Sequence, residues 1–281
     1  MAAEALPLLV LGATGRIGRA LRVLWPFALR GGLRPVWQAR DGRGGYLGWD
    51  ILHEPCPAVA ASGVVLCLAG GRVGPGQNAS LALAALQAAA AQKARHVFLA
   101  SSSAVYSPGP APLREQDSAD PPGEYGREKL AMEREARAFA DDAGLALTIL
   151  RIGNIAGSDA LLGGAGTGPV HLDPCGADPG GPLRSYIGPV TLAAVLGRLA
   201  AVAAAREGLP DVINIAAPLP VRMAALLDAA ALPWDYGPEN PAVIPSVVLD
   251  TTRLQALQRL PPQASLPRVM VAEWRSMVGR A

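Results

Sequence analysis

Apolar positions along the chain alternate between two periods. Leu8-Leu9-Val10-Leu11 is a continuous apolar run that ends at three glycines spaced three apart, Gly12, Gly15 and Gly18; Ile17, Leu21 and Leu24 then recur at helical intervals. The pattern predicts a buried strand, a tight turn and a helix whose first amides are left to hold an anion. Each glycine has a task that a side chain would spoil: making the turn, admitting a phosphate group to the backbone, or letting helix and strand pack closely. The spacing departs by one residue from the Gly-x-Gly-x-x-Gly dinucleotide fingerprint. Further along, Val36-Trp37 marks a second strand ending at Arg40-Asp41, with a glycine-rich loop over 42–48. A third apolar run, Val64 to Ala69, stops at Gly70-Gly71. An alanine-rich helix over 78–93 follows, then a strand over 96–100 that ends in Ser101-Ser102-Ser103. A charged helix over 124–142 and another apolar strand over 145–151 complete the series.

Continuous apolar strands alternating with helices predict an α/β fold, a doubly wound parallel sheet covered on both faces. Ligands of such sheets gather at the carboxyl ends of the strands, so Gly12, Arg40, Gly70, Ser102 and Ile152 are expected to face one crevice. Beyond Gly153 the texture changes. Residues 159–182 are rich in Gly and Pro and read as a loop or lid. Helices are expected over 189–206, 222–230, 251–260 and 267–278, with short strands over 212–216 and 247–249. The division expected is a nucleotide-binding domain over 1–157 and a small, discontinuous C-terminal substrate-binding region over 158–281, with 189–206 packing back on the sheet.

Composition narrows the function. Half of the 281 residues are apolar and 17% are charged, which fits a folded globular chain. A net charge of +2 and few aromatics argue against nucleic acid and charged membranes as partners. Three unpaired cysteines (Cys56, Cys67, Cys175) fit free thiols in a reducing cytoplasm and suggest no metal site. The N-terminus has no basic n-region, and neither alanine-rich stretch (79–91, or 190–205 with Arg198 inside it) suits a bilayer. A cytoplasmic location is therefore expected.

Three features fall on the expected crevice. Ser102 sits at a strand end, and Tyr125 and Lys129, four apart, share one helix face. A phenol has an ordinary pKa of about 10, and a nearby ammonium lowers it by favouring the phenolate. Such a pair can exchange a proton with a substrate hydroxyl or carbonyl as general acid–base, with a serine hydroxyl holding the same oxygen. The flanking glycines of a nucleophile elbow are missing around Ser102. His53, His96 and His171 have no ligand spacing and read as ordinary surface or loop residues. Trp49 and Trp234 read as core, with packing on a ligand as the alternative.

Taken together and in order, Gly12-Ala-Thr-Gly15-Arg-Ile-Gly18, Ser101-Ser-Ser-Ala-Val-Tyr106, Tyr125-Gly-Arg-Glu-Lys129 and Leu150-Arg-Ile-Gly-Asn154 resemble the short-chain dehydrogenase/reductase superfamily. More narrowly, they resemble its extended branch, the NAD-dependent epimerase/dehydratase family, whose domain is of the Rossmann type. The resemblance implies Tyr125 as acid–base and Lys129 as the residue that binds the nicotinamide ribose and tunes the tyrosine. It selects Ser102 over Ser103, four residues before the tyrosine of the Val-Tyr pair. It implies that Thr14, Arg16 and Ile17 join the glycines around the cofactor, that Asp50-Ile51 meets the adenine, and that Leu68-Ala69-Gly70 and Ile152 line it. Where NAD-preferring relatives end the second strand in an acid, Arg40 stands here, and a guanidinium suits a 2′-phosphate. NADP(H) is therefore expected ahead of NAD(H), with Asp41 on the ribose as the alternative.

The substrate is less defined. Ser103 and Ala104 replace the acids that follow the catalytic Ser/Thr in family dehydratases, which argues against dehydration. Asn154 matches a position that contacts the nucleotide-sugar in epimerases, and Arg184-Ser-Tyr-Ile resembles the segment whose arginine meets the diphosphate. Yet no second phosphate-binding arginine stands in 239–246, and Gly188 and Thr191 replace the usual His and Asp. The expected activity is hydride transfer at a carbonyl or hydroxyl carbon of a small molecule. The alternatives are an epimerase with retained cofactor and a non-catalytic NADP sensor. Homodimerisation through the helices beginning near Asn78 and Glu124 is implied by the resemblance.

Overall fold

The computed structural model describes residues 5–29, 32–58, 63–71, 74–109, 112–164, 168–175 and 179–279. In chain order its elements are β1 (Leu6–Leu11), α1 (Arg16–Ala28), β2 (Leu33–Ala39), β3 (Leu47–Gly48), β4 (Val64–Cys67), α2 (Gln77–Ala91), β5 (His96–Ser102), α3 (Glu124–Asp142) and β6 (Leu147–Ile152). There follow β7 (Asn154–Ile155), β8 (Val170–Leu172), β9 (Leu183–Arg184), β10 (Tyr186–Ile187), α4 (Pro189–Ala204), β11 (Val212–Ile215) and β12 (Val221–Arg222). The last elements are α5 (Met223–Ala230), β13 (Trp234–Tyr236), β14 (Ser246–Val247), α6 (Thr252–Leu257) and α7 (Pro267–Val278). The chain forms two compact units with interleaved segments: Met1–Val105, Ala119–Arg151 and Ala193–Ile213 make the first, and Tyr106–Ser118, Ile152–Leu192 and Asn214–Ala281 the second.

The seven-stranded parallel sheet runs β11-β6-β5-β4-β1-β2-β3, the expected doubly wound arrangement. Leu9 pairs with Val36 on one side and Val65 on the other, and Val65 pairs in turn with Val97. Strand order reverses at β1, with β2 to one side and β4 to the other, which puts the ligand-binding switch point at the ends of β1 and β4. The first unit's core joins Leu9, Leu11, Val65, Cys67, Val97 and Leu99 of the sheet to α2 and α3. Ala82, Ala85 and Ala89 let α2 lie close, while Met132 and Ala136 present the inner face of α3. Alanine's small side chain and high helix propensity make such a helix short in reach and easy to pack.

In the second unit, Leu226 and Leu227 of α5, Met270 and Val271 of α7 and Tyr186 of β10 form a separate core. Here the sequence pattern is a poorer guide. The stretch read as a loop over 159–182 contains β8, which pairs in parallel with β13; residues 165–167 and 176–178 of that stretch lie outside the described residues. The helix expected to reach Leu260 ends at Leu257, because Gln258 is extended at φ −150° and Gln255 Oε1 accepts the Leu260 N–H at 2.9 Å. The N-terminus of α4 is closed from α7, where Glu273 accepts the Thr191 N–H at 2.9 Å and its hydroxyl at 2.6 Å. His96 also departs from the surface reading. It opens β5 only 8% exposed, its Nε2 2.9 Å from Thr148 Oγ1, and burial pushes its pKa down to about 4.

Candidate active site

Each glycine of the first turn meets a different constraint. Gly12 has φ +73°, and a Cβ there would stand 2.7 Å from the Ala69 backbone nitrogen, so the turn after β1 touches the end of β4. A Cβ on Gly18 would come within 2.5 Å of Ala13 Cα, which is the close helix–strand approach. Around Gly15 the nearest atom to a Cβ is its own turn's Gly12 oxygen at 3.2 Å, leaving the backbone accessible. Gly15 caps α1 without a side-chain bond, and the first turn of α1 carries no acid. The end of the helix therefore offers N–H groups and a positive dipole to an anion, as a pyrophosphate requires. Thr14, Gly15 and Arg16 are exposed, Ile17 half-buried.

Two buried amides, missed in the sequence, hold this end of the sheet. Gln38 accepts the Gly12 N–H at 2.9 Å through Oε1 and donates through Nε2 to the Trp49 carbonyl at 2.6 Å, tying the glycine turn to β2 and the segment after β3. Asn78 at the start of α2 accepts the Gly71 N–H at 2.9 Å and donates to the Gly71 carbonyl at 3.0 Å. It thereby holds Gly70 and Gly71, at φ +116° and +126°, in conformations that favour glycine. Leu68 and Ala69 are half-buried just before them. At the end of β2 the Arg40 side chain is 84% exposed, its Nε 3.8 Å from Asp50 Oδ2. Asp50 also meets His53 Nδ1 at 3.1 Å, and this hydrogen bond is the main cause holding its carboxyl below the usual range. Ile51 is buried. The alternative ribose partner, Asp41, accepts the Arg43 N–H at 3.3 Å.

The three serines at the end of β5 separate by environment. Ser101 is buried and donates to Glu133 at 2.5 Å. Ser102 is half-buried, and its Oγ accepts the Ala104 N–H at 3.2 Å, opening the short turn Ser103–Val105. That contact uses a lone pair, and the hydroxyl proton of Ser102 is not committed to it. Tyr125 is half-buried in the first turn of α3. Lys129, one turn on, is 4% exposed and donates to the Ala100 carbonyl at 3.1 Å. Burial draws its pKa below the ordinary lysine value, while Cys67, when ionised, and Glu133 push the other way. The helix sits this close because residue 126 is glycine: a Cβ there would lie 2.1 Å from the Ala104 carbonyl oxygen. Glycine turn, Ser102, Tyr125 and Lys129 thus fall in one unit.

The candidates of the second unit have other partners. Ile152 is buried. Asn154 is half-buried and hydrogen-bonds the Tyr186 hydroxyl, which donates to Asp159 Oδ2 at 2.8 Å. Burial is the leading cause raising both Tyr186 and Asp159 above their ordinary pKa values. Arg184 donates to the Leu183 carbonyl at 2.9 Å and to the Ile244 carbonyl at 2.6 Å, so two of its donors brace its own strand. Tyr106 is buried and donates to Asn214 Oδ1 at 2.7 Å, which gives the Val-Tyr tyrosine a structural role. Among the described residues, no group of three His, Cys, Asp or Glu is arranged to hold a metal, and no helix is long and apolar enough to cross a membrane.

A switch-point glycine turn with Ser102, Tyr125 and Lys129 in the same unit defines a Rossmann-type fold with a short-chain-dehydrogenase-like residue set. Residues 59–167, which include the motifs at 101–106, 125–129 and 150–154 but not the glycine turn, match the model of the NAD dependent epimerase/dehydratase family. The fold is similar to UDP-glucose 4-epimerase from Brucella ovis (TM-score 0.77, 19% identity, covering 95% of this chain and 96% of that one). It is also similar to UDP-glucuronic acid 4-epimerase from Bacillus cereus, solved with a fluorinated UDP-sugar and NAD (TM-score 0.75, 16% identity, 98% and 100% covered). A third likeness is to UDP-N-acetylglucosamine 4-epimerase from Methanobrevibacter ruminantium M1, in complex with UDP-N-acetylmuramic acid (TM-score 0.74, 16% identity, 99% and 100% covered). At these identities the likeness is one of fold. Comparison of the sequence with curated proteins gives no match.

Proposed function

We propose that the protein is a nicotinamide-dependent oxidoreductase of the extended short-chain type, acting on a carbonyl or hydroxyl carbon of a nucleotide-sugar or similar small molecule. The observation that carries this reading is the joint placement, in one unit, of an anion-accepting glycine turn and a buried lysine one helical turn beyond Tyr125. The residues fit the cofactor: the amides of 15–18 would take its pyrophosphate, Leu68-Ala69-Gly70 would flank it, and Lys129 would meet its nicotinamide ribose. When bound, the nicotinamide supplies or accepts the hydride. Tyr125 holds the exchangeable proton at its phenol oxygen and gives it to, or takes it from, the substrate oxygen. A Lys129 ammonium beside the phenol favours the phenolate over the neutral form. Ser102 donates its hydroxyl proton to the same substrate oxygen and so orients it.

Arg40 supports NADP(H) as the preferred cofactor, because an exposed guanidinium at the end of β2 offers a fork to a 2′-phosphate and would repay little to NAD. The named neighbours favour a second reading, an epimerase that oxidises and re-reduces one sugar carbon with cofactor retained. Purified protein decides between them. A reductase binds added NADPH and consumes it one for one with substrate; an epimerase carries nicotinamide cofactor through purification and turns over without addition. Tyr125→Phe is expected to abolish either activity while leaving cofactor binding within a few-fold. Full activity in that variant would overturn Tyr125 as the acid–base; cofactor binding with no turnover by the wild-type protein would favour a sensor. We also infer a homodimer through α2 and α3 and a cytoplasmic location, the first checked by light scattering.

A further inference from the structure

Tyr125, Lys129 and Glu133 stand at i, i+4 and i+8 on one face of α3. Glu133 is as deeply buried as Lys129, yet every side of its carboxylate is occupied. Arg151 of β6 grips it with Nε 3.2 Å from both oxygens and Nη2 2.8 Å from Oε2, and Ser101 of β5 donates to Oε1 at 2.5 Å. Replacing a buried ion pair by apolar residues is often neutral or stabilising, so fold stability alone does not account for this one. Its placement does. Lys129 holds the carbonyl of Ala100, Glu133 holds the hydroxyl of Ser101, and Ser102 is the next residue. Two side chains of α3 thus pin the last turn of β5, while Arg151 fixes the helix against β6.

The charges around Lys129 point the same way. It faces Cys67 of β4, the Ala100 carbonyl of β5, Met132, and Glu133 of its own helix. Burial pushes the Cys67 thiol up to about 11, so at neutral pH it is uncharged and Glu133 is the anion left opposite the ammonium. We propose that Glu133, clamped by Arg151 and Ser101, is a positioning residue that fixes the Lys129 ammonium and the end of β5 beneath Ser102 and Tyr125. The proposal rests on the reading of those residues given above. Arg151 serves it by gripping the Glu133 carboxylate through Nε and Nη2, and Ser101 by orienting Oε1.

The chain contains only two lysines, Lys93 and Lys129, and Lys93 is exposed. NMR of protein labelled with ¹³C at the lysine ε-carbon therefore reads Lys129 directly, with Lys93 as internal reference and Lys129→Met for assignment. Glu133→Gln is expected to lower the Lys129 midpoint by about one unit or more while leaving Lys93 in place. Glu133→Asp, which keeps the charge, should restore most of the shift. Should Glu133→Gln fail to fold, the double variant Glu133→Gln/Arg151→Met removes both charges of the pair and is expected to show the same drop. An unmoved Lys129 midpoint in the folded single or double variant overturns the proposal. The titration needs neither cofactor nor substrate; a wild-type protein that neither carries a nicotinamide cofactor nor binds NADPH or NADH would instead sink the proposed function and leave this result standing.

Discussion

His96 carries a pH dependence that can be worked out in advance. Its Nε2 lies 2.9 Å from Thr148 Oγ1, and the single hydroxyl proton of Thr148 is given to the Pro210 carbonyl at 2.8 Å. Thr148 must therefore act as acceptor toward the ring, which assigns the N–H to Nε2 and leaves Nδ1 to be protonated in a buried place. Burial pushes the pKa down from 6.5 to about 4. The folded state thus disfavours the imidazolium, and stability is present in full above the unfolded pKa and is lost as pH falls from about 6.5 to about 4. A depression of about 2.5 units at about 1.36 kcal/mol each makes the loss on the order of 3 kcal/mol.

The perturbation is His96→Gln, whose amide can still donate to Thr148 but does not titrate. At pH 8 the variant should be less stable than wild type by about 1 kcal/mol, through packing against Phe98 and the altered hydrogen bond. Urea unfolding at half-unit steps from pH 8 to 4.5 gives the difference between the two proteins, in which the carboxylates and the other two histidines cancel. That difference should shrink and then change sign as pH falls. Parallel curves across the whole range would refute the argument, as would a ¹⁵N histidine spectrum with the His96 proton on Nδ1.

Gly126→Ala is expected to destabilise by about 2 kcal/mol or more, although alanine gains about 1 kcal/mol over glycine in an ordinary helix, because the new Cβ would sit 2.1 Å from the Ala104 oxygen; a rise in Tm would refute this. Arg40→Ala should weaken NADPH binding at least about tenfold, the scale of one charged hydrogen bond, and leave NADH within about twofold, as read by fluorescence titration. Equal losses for both cofactors would return the ribose contact to Asp41. Glu273→Gln should cost about 1 kcal/mol in urea unfolding through the weakened cap on α4, and Thr191→Ala should add little to it because the hydroxyl contact it removes is one of the two that Glu273→Gln already weakens.

Legibility in the sequence followed what each residue touches. The strands β1, β4, β5 and β6 are buried on both faces, so their apolar runs are continuous and could be read, as could α3, whose limits Glu124–Asp142 coincide with the charged periodic stretch. Gly12, Ser102, Tyr125 and Lys129 could be picked out because glycine spacing, a strand end and a four-residue interval are local signals. The second unit defeated the same approach. Its strands β7, β9, β10 and β12 are two residues long, too short to show a period, and are held by distant partners such as Ser185 Oγ accepting the Leu249 N–H at 2.9 Å. Arg184 stands in a motif that resembles a diphosphate-binding segment, and its contacts to Leu183 and, across a long stretch of chain, Ile244 are not legible from that motif.

What escaped in the first unit forms a pattern of its own. Gln38, Asn78, Ser101 and Arg151 are buried polar residues on strands or a helix that otherwise read as apolar, and Glu133 is a buried carboxylate among the solvated charges of α3. Each spends hydrogen bonds on another element near a carboxyl end of the sheet. Periodicity averages over such positions, and a polar residue inside an apolar run is discounted as noise. Yet burial makes an unpartnered amide or carboxylate costly, so a residue retained there has its partners built around it. Gln38 holds the glycine turn, Asn78 the Gly70-Gly71 turn, and Glu133 the end of β5. The glycine turn, the Gly70-Gly71 turn and the end of β5 beside Ser102 are thus each backed by a buried polar group, a second set of contacts that a chance Tyr-x-x-x-Lys would not bring with it.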